Sequence, residues 1–194
     1  MFTGSEQIEK ALRYAGDLLK SEGEEVAVVV VGGATLNLLG IVARTTRDVD
    51  VIARAYREAG GKLRLANAEP FPQALERAIQ LVARDLGLDE DWMNADVGKQ
   101  WVAGLPPGTE DDLEWRTYGG LRVGLVRRRT LIALKLFATV DQGAGSVHLQ
   151  DLLAMAPSDA ELTEAAVWVR TQDAAVEFPL LVQQVVEHVA QHRP

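Results

Sequence analysis

The chain has 194 residues, a formal net charge of −8 and an apolar fraction of 47%. This length and apolar content are typical of a globular protein with a hydrophobic core, so we expect a single domain over residues 1–194. The absence of cysteine excludes disulfides and cysteine-ligated metals. We expect a cytoplasmic protein with no membrane partner, because neither a secretory signal nor an apolar run of spanning length is found. The acidic charge argues against a protein that coats nucleic acid.

The first seventy residues alternate between short apolar runs and polar segments. Apolar residues at helical spacing predict a helix over residues 5–20, and the β-branched run "VAVVVV", residues 26–31, predicts a strand buried on both faces. After two glycines, "ATLNLLG", residues 34–40, predicts a short helix. "DVDVIA", residues 48–53, alternates in polarity and predicts a second strand. Residues 54–70 are polar and contain glycine and proline, so we interpret them as a loop or weak helix.

The rest of the chain changes from a mixed pattern to a helical one. Residues 72–88 form an amphipathic pattern that predicts a helix. Residues 113–126 contain two short apolar runs separated by two glycines, which predicts a hairpin. From residue 129 onward, four amphipathic stretches predict helices. The expected fold class is therefore α+β, with a small mixed sheet in residues 1–126 followed by a helical part in residues 127–194.

Two aspartates stand one residue apart in the second strand pattern. Alternate side chains of a strand share a face, so Asp48 and Asp50 are expected to have Cβ atoms roughly 6.5–7 Å apart. Carboxylates at this separation can bind a divalent cation such as Mg²⁺, and without a cation they repel each other. The alternative is a solvated edge at which the pair is neutralised by Arg44, Arg47 or Arg54.

A pair of glycines, Gly32 and Gly33, stands between the first predicted strand and the helix that follows it. Exposed backbone N–H groups at such a turn form an anion site that suits phosphate. A phosphate site beside two carboxylates indicates metal-assisted nucleotidyl transfer. The glycine spacing does not fit G-x-G-x-x-G, which argues against a dinucleotide-binding domain.

The segments "GGATLNLLG" and "RTTRDVDV" resemble the core signature of the nucleotidyltransferase superfamily related to DNA polymerase β. They are more closely similar to its bacterial AbiEii/MenT-like branch of toxin-type enzymes. Thr46 and the two aspartates take the places of that branch's S/T-x-D-x-D strand. A second match, "LIALKLFATVDQGAGSVHLQDLLAM", places a lysine of the branch at Lys135 and a late aspartate at Asp151.

The resemblance implies a reaction in which a nucleoside monophosphate is transferred from a nucleoside triphosphate to an acceptor, with Mg²⁺ as cofactor. Asp48 and Asp50 would hold the metal. Four further residues would bind the triphosphate of the nucleotide. These residues are Gly32, Gly33, Thr46 and Lys135.

Within the same resemblance, Lys135 would neutralise charge on the triphosphate and Asp151 would position Lys135 or the acceptor. The implied acceptor is the 3′ end of tRNA or a protein. The implied partner is an antitoxin, as in a toxin–antitoxin pair, and a homodimer is expected for the non-catalytic alternative. The alternative is a catalytically inactive relative that keeps the fold and acts as a binding or scaffolding protein.

Three further features of the sequence concern a third carboxylate, the binding of tRNA and the role of His148. A third carboxylate, common in the wider superfamily, has Asp96 and Glu114 as candidates. Binding of tRNA would depend on a basic patch over residues 122–129, for which a solvated strand end and helix start is an equal alternative. We interpret His148 as a polar residue at a helix start and not as a catalytic group.

Overall fold

A computed structural model describes residues 1–97, 104–143 and 145–194. Its contacts divide the chain into two compact units. The first unit comprises Met1–Gly104 and Leu113–Val126, and the second comprises Leu105–Asp112 and Arg127–Pro194. Helices and a mixed sheet are both present, which confirms the predicted α+β class.

The described part of the first unit contains one sheet of six strands. The strands are β1 (Val26–Val31), β2 (Val49–Arg57), β3 (Leu63–Asn67), β4 (Met93–Asn94), β5 (Leu113–Tyr118) and β6 (Leu121–Val126). The order is β3-β2-β1-β6-β5, and β4 pairs with β2. β1 runs antiparallel to β2 and parallel to β6, so the sheet is mixed as expected.

Three helices belong to the first unit: α1 (Ser5–Ser21), α2 (Gly32–Leu38) and α3 (Gln73–Leu86). α1 and α3 each bury one apolar stripe in the core of the unit, as their 3.6-residue periodicity requires. α3 ends at Gly87, whose left-handed backbone (φ +64°) allows its N–H to bond the carbonyl of Ala83. α2 continues directly from β1, and this places its first residues at the end of a central strand.

The second unit contains four helices in its described residues: α4 (Arg128–Gln142), α5 (Val147–Ala154), α6 (Asp159–Val169) and α7 (Phe178–His192). Phe137 packs edge-on against Trp168 and Phe178, with ring centroids 6.0 and 6.5 Å away. The Thr130 N–H in the first turn of α4 donates to the carboxylate of Asp112 at 2.9 Å. These contacts stabilise the second unit from within.

The prediction of a loop or weak helix over residues 54–70 is wrong for most of that range. β2 continues to Arg57, and β3 then pairs with it antiparallel as a hairpin. Gly61, at φ +77°, is part of the hairpin turn, in which the Glu58 N–H donates to the Lys62 carbonyl. The polar residues alternate with apolar ones because β3 is a half-exposed edge strand, so the composition resembles that of a loop.

Two boundaries near the predicted site also differ from expectation. α2 begins at Gly32, two residues before the predicted start. β2 begins at Val49, so Asp48 immediately precedes the strand while Asp50 lies within it. In the part of the chain that the structure describes, no helix combines the length and apolar character needed to cross a membrane.

Candidate functional site

The glycine pair lies directly against the side chains of the RTTRDVD segment. Gly32 has φ +74°, and a Cβ placed on it would overlap the carboxylate oxygen Oδ2 of Asp50. A Cβ on Gly33 would lie 2.7 Å from the Thr46 hydroxyl and 3.1 Å from Nη2 of Arg44. Only glycine allows these three polar groups to approach the backbone so closely. We call Gly32, Gly33, Arg44, Thr46 and Asp50 the strand-end site.

The sheet register positions Asp50 within this site. Asp50 pairs with Val31 in the ladder between β1 and β2, so it lies opposite the residue that immediately precedes Gly32. The register of that ladder shifts between Val29 and Val30, two residues before Gly32. The shift indicates a β-bulge or an irregularity in the strand. Bulges of this kind re-aim side chains near functional sites.

Thr46 is held by backbone as well as side-chain contacts. It is buried, and its N–H and carbonyl form an antiparallel bridge with Phe2, at 3.0 and 2.7 Å. Its hydroxyl, which faces Gly33, lies 3.4 Å from the Asp48 carbonyl. These contacts anchor the loop before β2 at Thr46. They thereby fix the position of the backbone that leads to Asp48 and Asp50.

Asp48 lies among other acidic groups. Burial raises its pKa above the usual range, and the Arg47 guanidinium opposes this rise. The nearby Asp91 carboxylate raises the pKa further, a hydrogen bond from the Asn94 amide lowers it, and the Asp96 carboxylate raises it again. A bound cation would relieve the cost of holding this carboxylate ionised, so the oxygen ligands and the charge fit Mg²⁺.

Arg47 of the alternative interpretation lowers the pKa of Asp48, and all three arginines of that interpretation have further contacts. Arg47 forms an ion pair with Asp91 at 3.1 Å, and Arg54 donates to the Asn67 carbonyl. Arg44 lies at Gly33 and also donates to the Thr45 carbonyl at 2.9 Å. The sequence predicted Arg44 as a neutralising partner of the aspartates and did not predict its contact with Gly33. The signal that could have identified Arg44 as part of the strand-end site is its place in the RTTRDVD segment, two residues before Thr46.

The strand β4 brings a second set of polar residues to Asp48 and Asp50. Asn94 pairs with Asp50 in the parallel ladder of β4 and β2. Its side-chain oxygen accepts from the Asp96 N–H at 3.0 Å, and its amide nitrogen donates to the Asp91 carbonyl at 3.2 Å. A groove of about 670 Å³ is lined by Asp91, Asn94 and Asp96, among other residues. The sequence analysis did not predict this groove, because β4 is only two residues long.

The two candidates for a third carboxylate differ in their surroundings. Asp96 lies close enough to Asp48 to raise its pKa. Glu114 instead accepts two hydrogen bonds from the guanidinium of Arg116, at 3.0 and 3.2 Å. Within the described residues, no set of three or more histidine, aspartate or glutamate side chains is arranged to hold a metal ion.

In the second unit, Lys135 and Asp151 form a buried ion pair. Lys135 Nζ on α4 lies 2.7 Å from Asp151 Oδ2 on α5, and the two side chains are only 5% and 1% exposed. Nζ also lies 3.3 Å from Nδ1 of His148. The structure thus brings the two predicted residues of this unit together. Lys135, His148 and Asp151 are called the lysine cluster below.

Two of the four arginines of the predicted basic patch form ion pairs with carboxylates. Arg128 forms an ion pair with Glu161 and Arg129 forms one with Glu164, each at 2.6 Å. Arg122, which belongs to the first unit, stacks its guanidinium over the Trp115 ring at 5.0 Å. Arginines with these partners contribute less positive charge to phosphate binding than the sequence had indicated.

Comparisons with protein-family models, with curated proteins and with solved structures find no match to this chain. Each unit therefore has to be interpreted from its own residues. The first unit has the strand-end site with Asp48 beside it, and the second has the lysine cluster.

Proposed function

We propose that the chain is a Mg²⁺-dependent nucleotidyltransferase. The observation that carries the proposal is the contact of the Asp50 carboxylate with Gly32, together with that of the Thr46 hydroxyl with Gly33. Glycine at both positions allows a carboxylate and a hydroxyl to lie directly against the backbone of the turn. Such a set of groups suits a triphosphate with its metal.

In this proposal Asp48 and Asp50 hold Mg²⁺ through their carboxylate oxygens. When bound, the metal offsets negative charge on the triphosphate and polarises the α-phosphate. The Thr46 hydroxyl and the glycine backbone orient the phosphates. An acceptor hydroxyl oxygen then forms a bond to the α-phosphorus, the bond to the β-phosphate oxygen breaks, and pyrophosphate leaves as the hydroxyl proton is released.

The lysine cluster supports the same chemistry. A compact ammonium is suited to neutralising phosphate charge, and Asp151 holds that ammonium in a fixed place at 2.7 Å. A buried ion pair is a costly way to stabilise a helical unit, because desolvation of both ions offsets their attraction. Its presence in α4 and α5 is better explained by a role for Lys135 in binding.

The acceptor is proposed to be a protein or the 3′ end of tRNA. The ion pairs of Arg128 and Arg129 favour the protein, since they leave less positive charge for an RNA backbone. A toxin of a toxin–antitoxin pair would inhibit growth when expressed alone. Asp48→Ala would then restore growth, and this comparison tests the toxin part of the proposal.

Calorimetry of nucleoside triphosphate binding, with and without Mg²⁺, tests the central claim. The wild-type chain and Asp50→Ala are compared with Asp17→Ala, which removes an exposed carboxylate of α1. We expect binding only with Mg²⁺, abolished in Asp50→Ala and retained in Asp17→Ala. If no triphosphate binds to the wild-type chain, the chain is instead the non-catalytic binding protein of the alternative interpretation.

A further inference from the structure

His148 lies close enough to the Lys135 ammonium to share it with Asp151. Asp151 Oδ2 is 2.7 Å from Nζ, and His148 Nδ1 is 3.3 Å from the same atom. His148 and Asp151 are three residues apart on α5, a spacing that puts both side chains on one face of a helix. One ammonium on α4 therefore contacts two groups from a single helical face.

The chemistry of lysine decides the state of the histidine. An ammonium has three N–H donors and no acceptor. The contact with Nδ1 is a hydrogen bond only when that nitrogen has no proton, so the inference assigns the ring proton to Nε2. The cluster then has one positive and one negative charge, and the histidine adds an acceptor without adding charge.

Two acceptors restrict the ammonium more than one does. With Asp151 alone, the Nζ group can rotate about its single hydrogen bond, and its other N–H groups have no fixed direction. The tetrahedral arrangement at nitrogen means that two fixed N–H directions determine the third. The lysine stem has four rotatable bonds, so this restriction removes freedom that ligand binding would otherwise have to remove.

We propose that His148 is a positioning residue that aims the third N–H of Lys135 at an anionic ligand. The inference rests on the proposed function for the chemical class of that ligand, a phosphate chain, and the contacts that carry it lie within the second unit. It changes the initial interpretation of His148 as a polar residue of a helix start. The histidine contributes an acceptor at one defined position and does not itself contact the ligand.

Three substitutions of His148 distinguish the effect of its hydrogen-bond acceptor from the effect of its side-chain shape. In His148→Asn, the amide oxygen lies near the position of Nδ1 and can accept from the ammonium. In His148→Gln, the amide lies further from the backbone, near the position of Nε2. His148→Leu has a similar width and no acceptor. The probe is magnesium tripolyphosphate, which carries the phosphate chain without a base or sugar.

We expect tripolyphosphate to bind His148→Leu and His148→Gln about tenfold more weakly than the wild-type chain, and His148→Asn within about threefold of it. The second measurement is NMR of the Lys135 ammonium in protein labelled with ¹⁵N-lysine. A slowly exchanging ammonium signal should be present in the wild-type chain and in His148→Asn, and lost in the other two variants. Thermal unfolding of each variant accompanies both measurements.

Equal loss of binding in Asn, Gln and Leu variants would overturn the proposal, because the ring would then act by packing alone. Unchanged binding in His148→Leu would overturn it as well. Should the leucine variant not fold, the Asn and Gln variants still differ only in where the acceptor lies. If the wild-type chain binds neither tripolyphosphate nor a nucleoside triphosphate, the proposed function is refuted, and the ammonium signal then tests the hydrogen bond to His148 independently.

Discussion

The two units differ in how the charge of an acidic side chain is compensated, at half-buried Asp48 and at buried Asp151. In the second unit, the Asp151 carboxylate has a lysine counterion at 2.7 Å. In the first unit, burial and the carboxylates of Asp91 and Asp96 raise the pKa of Asp48, and only Arg47 and an amide oppose them. The second unit is therefore electrostatically compensated by its own residues, whereas the first holds an acidic group that a cation would stabilise. On the proposed function, the metal would therefore bind in the first unit, at Asp48 and Asp50.

The largest expected effect concerns the compensated unit. Lys135→Met leaves the Asp151 carboxylate buried without its ammonium, and we expect a loss of about 3–5 kcal/mol in the free energy of unfolding. Urea unfolding followed by circular dichroism measures it. The double variant Lys135→Met/Asp151→Leu should recover most of the loss, because it removes both charges. If Lys135→Met is as stable as the wild-type chain, Lys135 does not compensate the buried charge of Asp151.

The second prediction tests whether the strand-end site depends on close packing. Gly32 and Gly40 have nearly the same positive φ, +74° and +70°, but a Cβ on Gly40 meets open space. Gly40→Ala should cost about 1 kcal/mol from backbone strain, and Gly32→Ala about 2–3 kcal/mol because it also displaces Asp50. Only Gly32→Ala should weaken Mg²⁺-dependent triphosphate binding. Equal effects of the two substitutions would show that the contact with Asp50 has no role.

Much of the fold could be predicted from the sequence, because the helices and most strands have clear periodicity. α3 with its glycine stop and the hairpin of β5 and β6 follow from local patterns. β3 was missed because its five residues lie between Gly60-Gly61 and Pro70, whose loop signal outweighed the short alternating run. β4 was missed because two residues are too short to form a pattern.

The candidate site was only partly predictable for a related reason. The types of residues at Gly32, Gly33, Asp48 and Asp50 indicated phosphate and metal chemistry. The contact between Asp50 and Gly32 depends on the register of β1 and β2 and on the shift in it, which are long-range properties of the sheet. The bond between Lys135 and His148 likewise depends on how α5 packs against α4, and local spacing does not encode that packing.

The third prediction concerns a carboxylate whose pKa is shifted in the opposite direction to that of Asp48. The Arg128 guanidinium, together with the cap formed by Ser158, lowers the pKa of Glu161 to about 2 from 4.5. The ionised form is thus favoured by folding, and its contribution is complete above pH 4.5 and is lost as the pH falls toward 2.

We expect this loss to be about 1–2 kcal/mol once solvent screening of the half-exposed pair is taken into account. Urea unfolding between these two pH limits measures it in the wild-type chain and in Glu161→Gln, which should lack this part of the pH dependence. Glu164→Gln, one helical turn away on α6, is the control and should keep it. Identical profiles for all three proteins would show that Glu161 does not compensate Arg128.

The smallest expected effect is the pH dependence of stability that Asp48 contributes. Its sign is opposite to that expected for Glu161. Because the folded protein raises the pKa of the Asp48 carboxyl, it holds the proton more tightly than the unfolded chain does. Stability should therefore fall as the pH rises from the ordinary aspartate pKa through the raised one. Above that window, Asp48→Asn should be slightly more stable than the wild-type chain, since the amide carries no buried charge.

Mg²⁺ provides the stronger form of this test. A cation that binds the Asp48 carboxylate removes the cost of ionising it, so added Mg²⁺ should stabilise the wild-type chain more than Asp48→Asn and reverse their order. Thermal unfolding at neutral pH, with and without Mg²⁺, measures both changes, and Asp17→Asn on the exposed face of α1 should follow the wild-type chain throughout. If Asp48→Asn is less stable than the wild-type chain without Mg²⁺, neighbouring groups already compensate the Asp48 charge. The first unit would then resemble the second, and its acidic groups would no longer indicate a metal site.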